Sequence, residues 1–212
     1  MRSIRPLLLV ALLGGCASRS SAQLPSTPES AQTLPAGYGT LSQDQVAIRI
    51  RLTDLEVRFM PVEERILRLL SPDAYASLHA LVESQRQSID SLSSQNGIGR
   101  PGLMLVTFFG QRQDVRFDPT QVGVSFRGAF YRPVAIVPYT ATFSSQQLPL
   151  RGQASGIFLF AERIPVFESF TLSYGAHTSD EWDRRLPVIR REMARIESKA
   201  RTEKPDTTGE KR

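Results

Sequence analysis

Between residues 103 and 175 the chain is divided into short apolar runs, and this segmentation constrains the fold more than any other feature. Residues 103–109 (LMLVTFF) and 157–160 (IFLF) are continuous apolar stretches of strand length. Strands covered on both faces read this way, so both are expected near the centre of a sheet. Val115/Phe117, Val122/Val124/Phe126 and Phe170/Leu172/Tyr174 alternate instead, as strands with one wet face do. Asp118-Pro119-Thr120 and Arg127-Gly128 are turn signals. Pro133 and Pro138 bracket residues 134–137, and a segment flanked by residues that donate no backbone hydrogen bond belongs at an edge or beside a bulge. Six or seven short strands at a spacing of roughly ten residues predict an antiparallel β-sandwich.

The flanking segments add helices. Val46, Ile48, Ile50 and Leu52 alternate with Ala47, Arg49, Arg51 and Thr53, which predicts a half-buried strand. Leu55, Val57 and Phe59 continue it with the parity flipped at Asp54, so a bulge or turn is expected there. Pro61 is expected to open a helix with Ile66, Leu69 and Leu70 on its apolar side. Ser71-Pro72-Asp73 restarts it, and Tyr75, Leu78, Leu81, Val82, Ile89 and Leu92 keep helical spacing to about residue 93. Near the other end, Trp182, Leu186, Ile189, Met193 and Ile196 form one apolar stripe, expected to pack on the sandwich. Pro187 inside that stripe predicts a kink or a fresh start. The expected class is therefore α+β, mainly β. A strand-and-helix block at 45–95, a sandwich at 103–175 and a helix at 179–200 make up one globular domain at 43–200. Residues 16–42, rich in Ser, Pro, Gln, Thr and Gly, are expected to be a disordered tether, and residues 201–212 a charged disordered tail.

Arg2 and Arg5 precede the apolar run 7–13 (LLLVALL), which is of signal-peptide length and too short to cross a bilayer. Gly14 and Gly15 follow, and then Cys16, the one cysteine of the 212 residues. Leu13-Gly14-Gly15-Cys16 resembles the lipobox of bacterial lipoproteins. The resemblance implies a signal peptide over 1–15, diacylglycerol on the Cys16 thiol and an acylated new amino group. Ala17 stands where an Asp would hold such a protein at the inner membrane, which implies the outer membrane. Ser20-Ser21-Ala22 offers the alternative of ordinary signal cleavage, with Gln23 first in an unlipidated secreted chain.

Residues 128–174 also resemble small secreted and lipid-anchored Ig-like domains. The matching pieces are Gly128, Tyr131-Arg132-Pro133, Leu150-Arg151-Gly152, Gly156-Ile157-Phe158-Leu159-Phe160 and Leu172-Ser173-Tyr174. The resemblance implies an Ig-like sandwich and brings no activity with it.

The net charge of +5 falls to +3 if Arg2 and Arg5 leave with the signal. Basic residues are interleaved with acids along the chain, which argues against a nucleic-acid partner. Lysine occurs only at Lys199, Lys204 and Lys211, so neither a Schiff-base nor a phosphate-loop lysine is expected within the fold.

No motif carries a recognisable reaction. Gly97-Ile98-Gly99-Arg100-Pro101-Gly102 spells a dinucleotide fingerprint, but with a helix before it and a strand after, which is the wrong order. His79 has only Glu83 at helical spacing. His177 precedes Asp180, Glu181 and Asp183, which are expected to complement a helix N-terminus, with Thr178 and Glu181 as a capping box. Glu63 and Glu64 are expected as diverging surface carboxylates on a helix, Glu64 pairing with Arg68. No metal, nucleotide or other cofactor is expected, and no catalytic residue is assigned. The expected function is that of a non-catalytic lipoprotein, anchored through Cys16 and working by contact with an envelope protein or glycan. A module with a small-ligand or glycan groove between the helical block and the sandwich is the alternative. Exposed aromatics among Phe108, Phe109, Phe130, Tyr131 and Tyr139 would favour it. A hydrolase would instead require His79 or His177 to meet a carboxylate and a serine in one pocket.

Overall fold

A computed structural model describes residues 34–202. The expected signal peptide, Cys16, the alternative cleavage site, residues 16–33 of the tether and residues 203–212 of the tail lie outside the described residues. The chain begins with α1 (Gln43–Val46), β1 (Ile48–Arg51), β2 (Leu55–Pro61), α2 (Glu64–Leu67), α3 (Pro72–Ser84) and α4 (Arg86–Gln95). It continues with β3 (Gly102–Gly110), β4 (Val115–Arg116), β5 (Val122–Phe126), β6 (Ala129–Tyr131), β7 (Ala135–Pro138) and β8 (Gln147–Leu148). The last elements are β9 (Gln153–Phe160), β10 (Thr171–Tyr174), β11 (His177–Ser179) and α5 (Glu181–Thr202).

The fold is α+β, with antiparallel sheets and no closed barrel. The larger sheet has the order β1-β2-β3-β9-β7 and the smaller the order β11-β10-β5-β6. The continuous apolar run of β3 lies at the centre of the larger sheet, beside β9, and the proline-flanked β7 is an edge. Register places Phe59 opposite Val106, Val57 opposite Phe108 and Met104 opposite Phe158, so these six share one face. All six are fully buried. In the smaller sheet Leu172 opposes Val124 and Tyr174 opposes Val122, which gives that sheet an apolar face of its own. Its Tyr174 ring centre lies 5.8 Å from Phe108, and Phe117 stacks on Phe108 at 4.3 Å. The two sheets thus share one aromatic core.

The parity flip at Asp54 is a hairpin turn. The Leu52 N–H donates to the Leu55 carbonyl (2.8 Å), and Ile50 pairs with Val57, which returns both strands to the same face. These two strands are not part of a separate block, because they form two of the five strands of the larger sheet.

Pro61 does not open a helix. It ends β2 opposite Met104, and helix begins only at Glu64. A proline is tolerated at the last position of a strand because the ladder resumes without its N–H: the Val62 amide donates to the Leu103 carbonyl (3.1 Å). The helix after Ser71 starts at Pro72 as expected and breaks at Gln85 into α3 and α4.

The expected tether is packed over its last third. Leu34 and Leu41 are buried, and Leu41 forms a bridge with Leu70. A Cβ at Gly39 would fall 2.3 Å from the Leu69 and Leu70 backbone, so only glycine fits that crossing. Composition missed this because two leucines suffice when a groove is ready to receive them.

Helix α5 runs unbroken through Pro187 to Thr202, so Arg201 and Thr202 belong to the helix rather than to a tail. Trp182 stacks on Phe170 at 4.6 Å, and Leu186, Ile189 and Ile196 are buried with it. The expected capping box is absent because Thr178 sits inside β11. Ser179 replaces it, its hydroxyl accepting from the Glu181 amide at 3.3 Å.

Candidate functional site

A cleft of about 480 Å³ opens between α3, α4 and the segments around residues 62–67, 99–103 and 163. Its floor is apolar: Val62, Leu67, Val82, Ile89 and Leu103. Its walls are charged, with Glu63, Glu64, Glu83 and Asp90 facing Arg65, Arg86, Arg100 and Arg163.

Chain geometry produces the walls. At Glu63 the backbone is still extended, one residue before α2, so the side chain turns inward instead of lying along a helix. It is 7 % exposed, which corrects the expectation of a surface carboxylate. Its Oε1 accepts from the Ile164 amide (3.0 Å), and its Oε2 lies 2.7 Å from Arg65 and 3.5 Å from Arg163. A buried carboxylate persists only when its charge is met in this way. Glu63 therefore fastens the start of α2 to the segment after β9.

Glu64 pairs with Arg68 at 2.6 Å, as the i,i+4 spacing predicts. It also accepts from the Tyr75 hydroxyl (3.1 Å) and lies 3.3 Å from His79 Nδ1. The Tyr75 and His79 rings stack at 5.2 Å. Desolvation, aided by the hydrogen bond to Glu64, raises the Tyr75 hydroxyl above its ordinary pKa. Reading along α3 alone gave His79 no partner but Glu83. Its carboxylate comes instead from α2, fifteen residues earlier, and no local spacing rule reaches that far. On the rim, the Glu83 carboxyl is held below its ordinary value by its hydrogen bond to Arg86.

The cleft brings His79 and Glu64 together but has no Ser, Thr, Cys or Lys among its lining residues. His177 is elsewhere, at the exposed start of β11, opposite Tyr174. Among the described residues, no group of three or more His, Cys, Asp or Glu is placed to hold a metal ion. The glycine-rich segment connects α4 to β3, helix first and strand second.

Of the five aromatics named from the sequence, Phe130 and Tyr139 are exposed. Phe108 is core. Phe130, on the edge strand β6, lies over Gly123, where a Cβ would come within 2.4 Å of its ring. Phe109 borders a small hollow of about 180 Å³ with Arg58, Thr107, Gln153 and Ser155. A shallower groove of about 640 Å³ separates α4 from β7, lined by Gln85, Gln87, Ser88, Ser91, Leu92, Ile136, Val137 and Pro138. This is the place where a groove between helices and sheet was expected. Among the described residues, no helix is long and apolar enough to cross a membrane.

Compared with protein-family models, curated proteins and solved structures, the chain matches none.

Proposed function

We propose that this chain is a lipid-anchored protein of the bacterial cell envelope that works by binding and not by catalysis. The observation that carries the reading is Cys16. The only cysteine of the chain directly follows Gly14-Gly15 at the end of an apolar run too short to span a bilayer. Ala17 after it favours the outer membrane. The cleft between α3 and α4, where carboxylates face arginines, supports a role in polar contact. The test is metabolic labelling with an alkyne fatty acid in a bacterial host. Wild type takes up label and fractionates with membranes, whereas Cys16→Ser takes up none. Recovery of unacylated protein beginning at Gln23 overturns the reading.

A second reading, a small-ligand or glycan module, is favoured by the α4–β7 groove, where Leu92 and Ile136 stand among glutamine and serine side chains. Chemical-shift mapping with a chitin oligosaccharide tests it. Shifts confined to residues 85–92 and 136–138 support it, and their absence discards it for that glycan class.

A further inference from the structure

The sequence suggests no dense basic patch, because basic residues are interleaved with acids along the chain. The helix sorts them. Glu192 is turned inward onto Thr40, and Glu181 and Glu197 are half-buried. Arg184, Arg190, Arg191, Arg195, Lys199 and Arg201 are all exposed, Arg195 while paired with Glu192, against Asp183 as the one exposed acid of α5. Arg191, Arg195 and Lys199 follow at i,i+4 spacing, and Arg184 with the exposed Val188 extends the same line. The outer face of α5 is thus a basic stripe along a helix whose inner face is fixed in the core.

Tyr38, near the start of the described chain, lies beside that stripe. Arg195 donates to the Tyr38 carbonyl, and the Lys199 ammonium lies 4.9 Å from the Tyr38 ring centre. Residues 17–37 separate Cys16 from Tyr38, a reach of at most about 75 Å even if fully extended. The stripe therefore lies on the side of the domain where Tyr38 is seated.

Resting on the lipid-anchor reading, we propose that the outer face of α5 lies against a phospholipid surface and binds its anionic headgroups. Guanidinium groups suit this partner, because they are weakly hydrated and match phosphate oxygens two at a time. A nucleic acid would satisfy the same charges. The lipid is preferred because Tyr38, on the Cys16 side of the domain in sequence, is seated at this stripe.

The experiment uses a chain beginning at Ala17, which keeps every described core residue and carries no lipid. Sedimentation with vesicles should show binding to an equal mixture of phosphatidylcholine and phosphatidylglycerol, and little to phosphatidylcholine alone. Binding should weaken as salt screens the charges. Arg184 and Arg191 hold no ion pair among the described residues, and Arg201 bonds only within α5. The triple variant Arg184→Gln, Arg191→Gln, Arg201→Gln should therefore keep its melting temperature. It should lose roughly a hundredfold in vesicle affinity, each basic residue at an anionic surface being worth a factor of about five. Equal binding to both vesicle types, an unchanged affinity in the triple variant, or tighter binding to a DNA duplex than to vesicles would each overturn the proposal. Label at Cys16 without vesicle binding sinks this inference and leaves the anchor. Vesicle binding without label does the reverse.

Discussion

Glu192 accepts two hydrogen bonds from Thr40, one from the amide at 2.6 Å and one from the hydroxyl at 2.8 Å, across 152 residues of chain. Arg195 completes the set at 2.7 Å. The Arg195 hydrogen bond holds the Glu192 carboxyl below the ordinary glutamate value against the opposing pull of burial, and the Thr40 bonds add to the effect. In the unfolded chain the group titrates at its ordinary value, so between the two values the unfolded state binds more protons and stability rises with pH. The contribution is complete above the ordinary glutamate value and is lost as pH falls through the lowered one. Glu192→Gln should flatten this part of the acid limb in urea titrations taken across pH. At neutral pH, Glu192→Ala should cost about 2 kcal/mol by removing the charge-assisted hydrogen bonds that Thr40 and Arg195 make to a buried carboxylate.

Glu63 and Glu64 are neighbours in sequence and should behave as opposites. Glu63→Ala leaves two arginines and the Ile164 amide facing an empty site, and should cost about 3 kcal/mol in chemical denaturation. Glu64 is 38 % exposed in its side chain, so Glu64→Ala should cost under about 1 kcal/mol. Equal losses at the two sites would contradict the inward turn at Glu63.

Trp182 and Ile189 anchor α5, both fully buried. Trp182→Ala should cost about 3–5 kcal/mol and Ile189→Ala about 2–4 kcal/mol. Trp182→Phe should be milder than Trp182→Ala, because the ring still stacks on Phe170 and the indole N–H has no partner to lose among the described residues. Melting curves of the three variants give the order directly.

Two glycines separate packing from punctuation. Gly39→Ala drives a methyl group into the Leu69 and Leu70 backbone and should cost about 1–3 kcal/mol. Gly99→Ala meets nothing within 4 Å and should leave the melting temperature unchanged. Similar effects at both positions would mean that residues 38–41 are not seated as described.

Strands were readable wherever burial leaves a local trace. The unbroken run of β3 marked the sheet centre, the prolines around β7 marked an edge, and the spacing from Trp182 to Ile196 marked the buried side of α5. What escaped depends on partners distant in sequence. Residues 34–42 look like linker until Leu69, Leu70 and Glu192 are placed beside them. His79 looked isolated because Glu64 reaches it from another helix. The basic stripe was hidden for a geometric reason: counting charge along a line ignores the rotation that hides Glu192 and exposes Arg191 and Arg195.

The Tyr38–Lys199 contact brings the first and last parts of the described chain to one place. The described part of the chain is thus almost a closed ring, and its order of reading can be shifted without moving a core side chain. A short linker from Thr202 to Leu34, with new ends cut at Gly99, where nothing crowds the backbone, should yield a circular permutant with the same sheets.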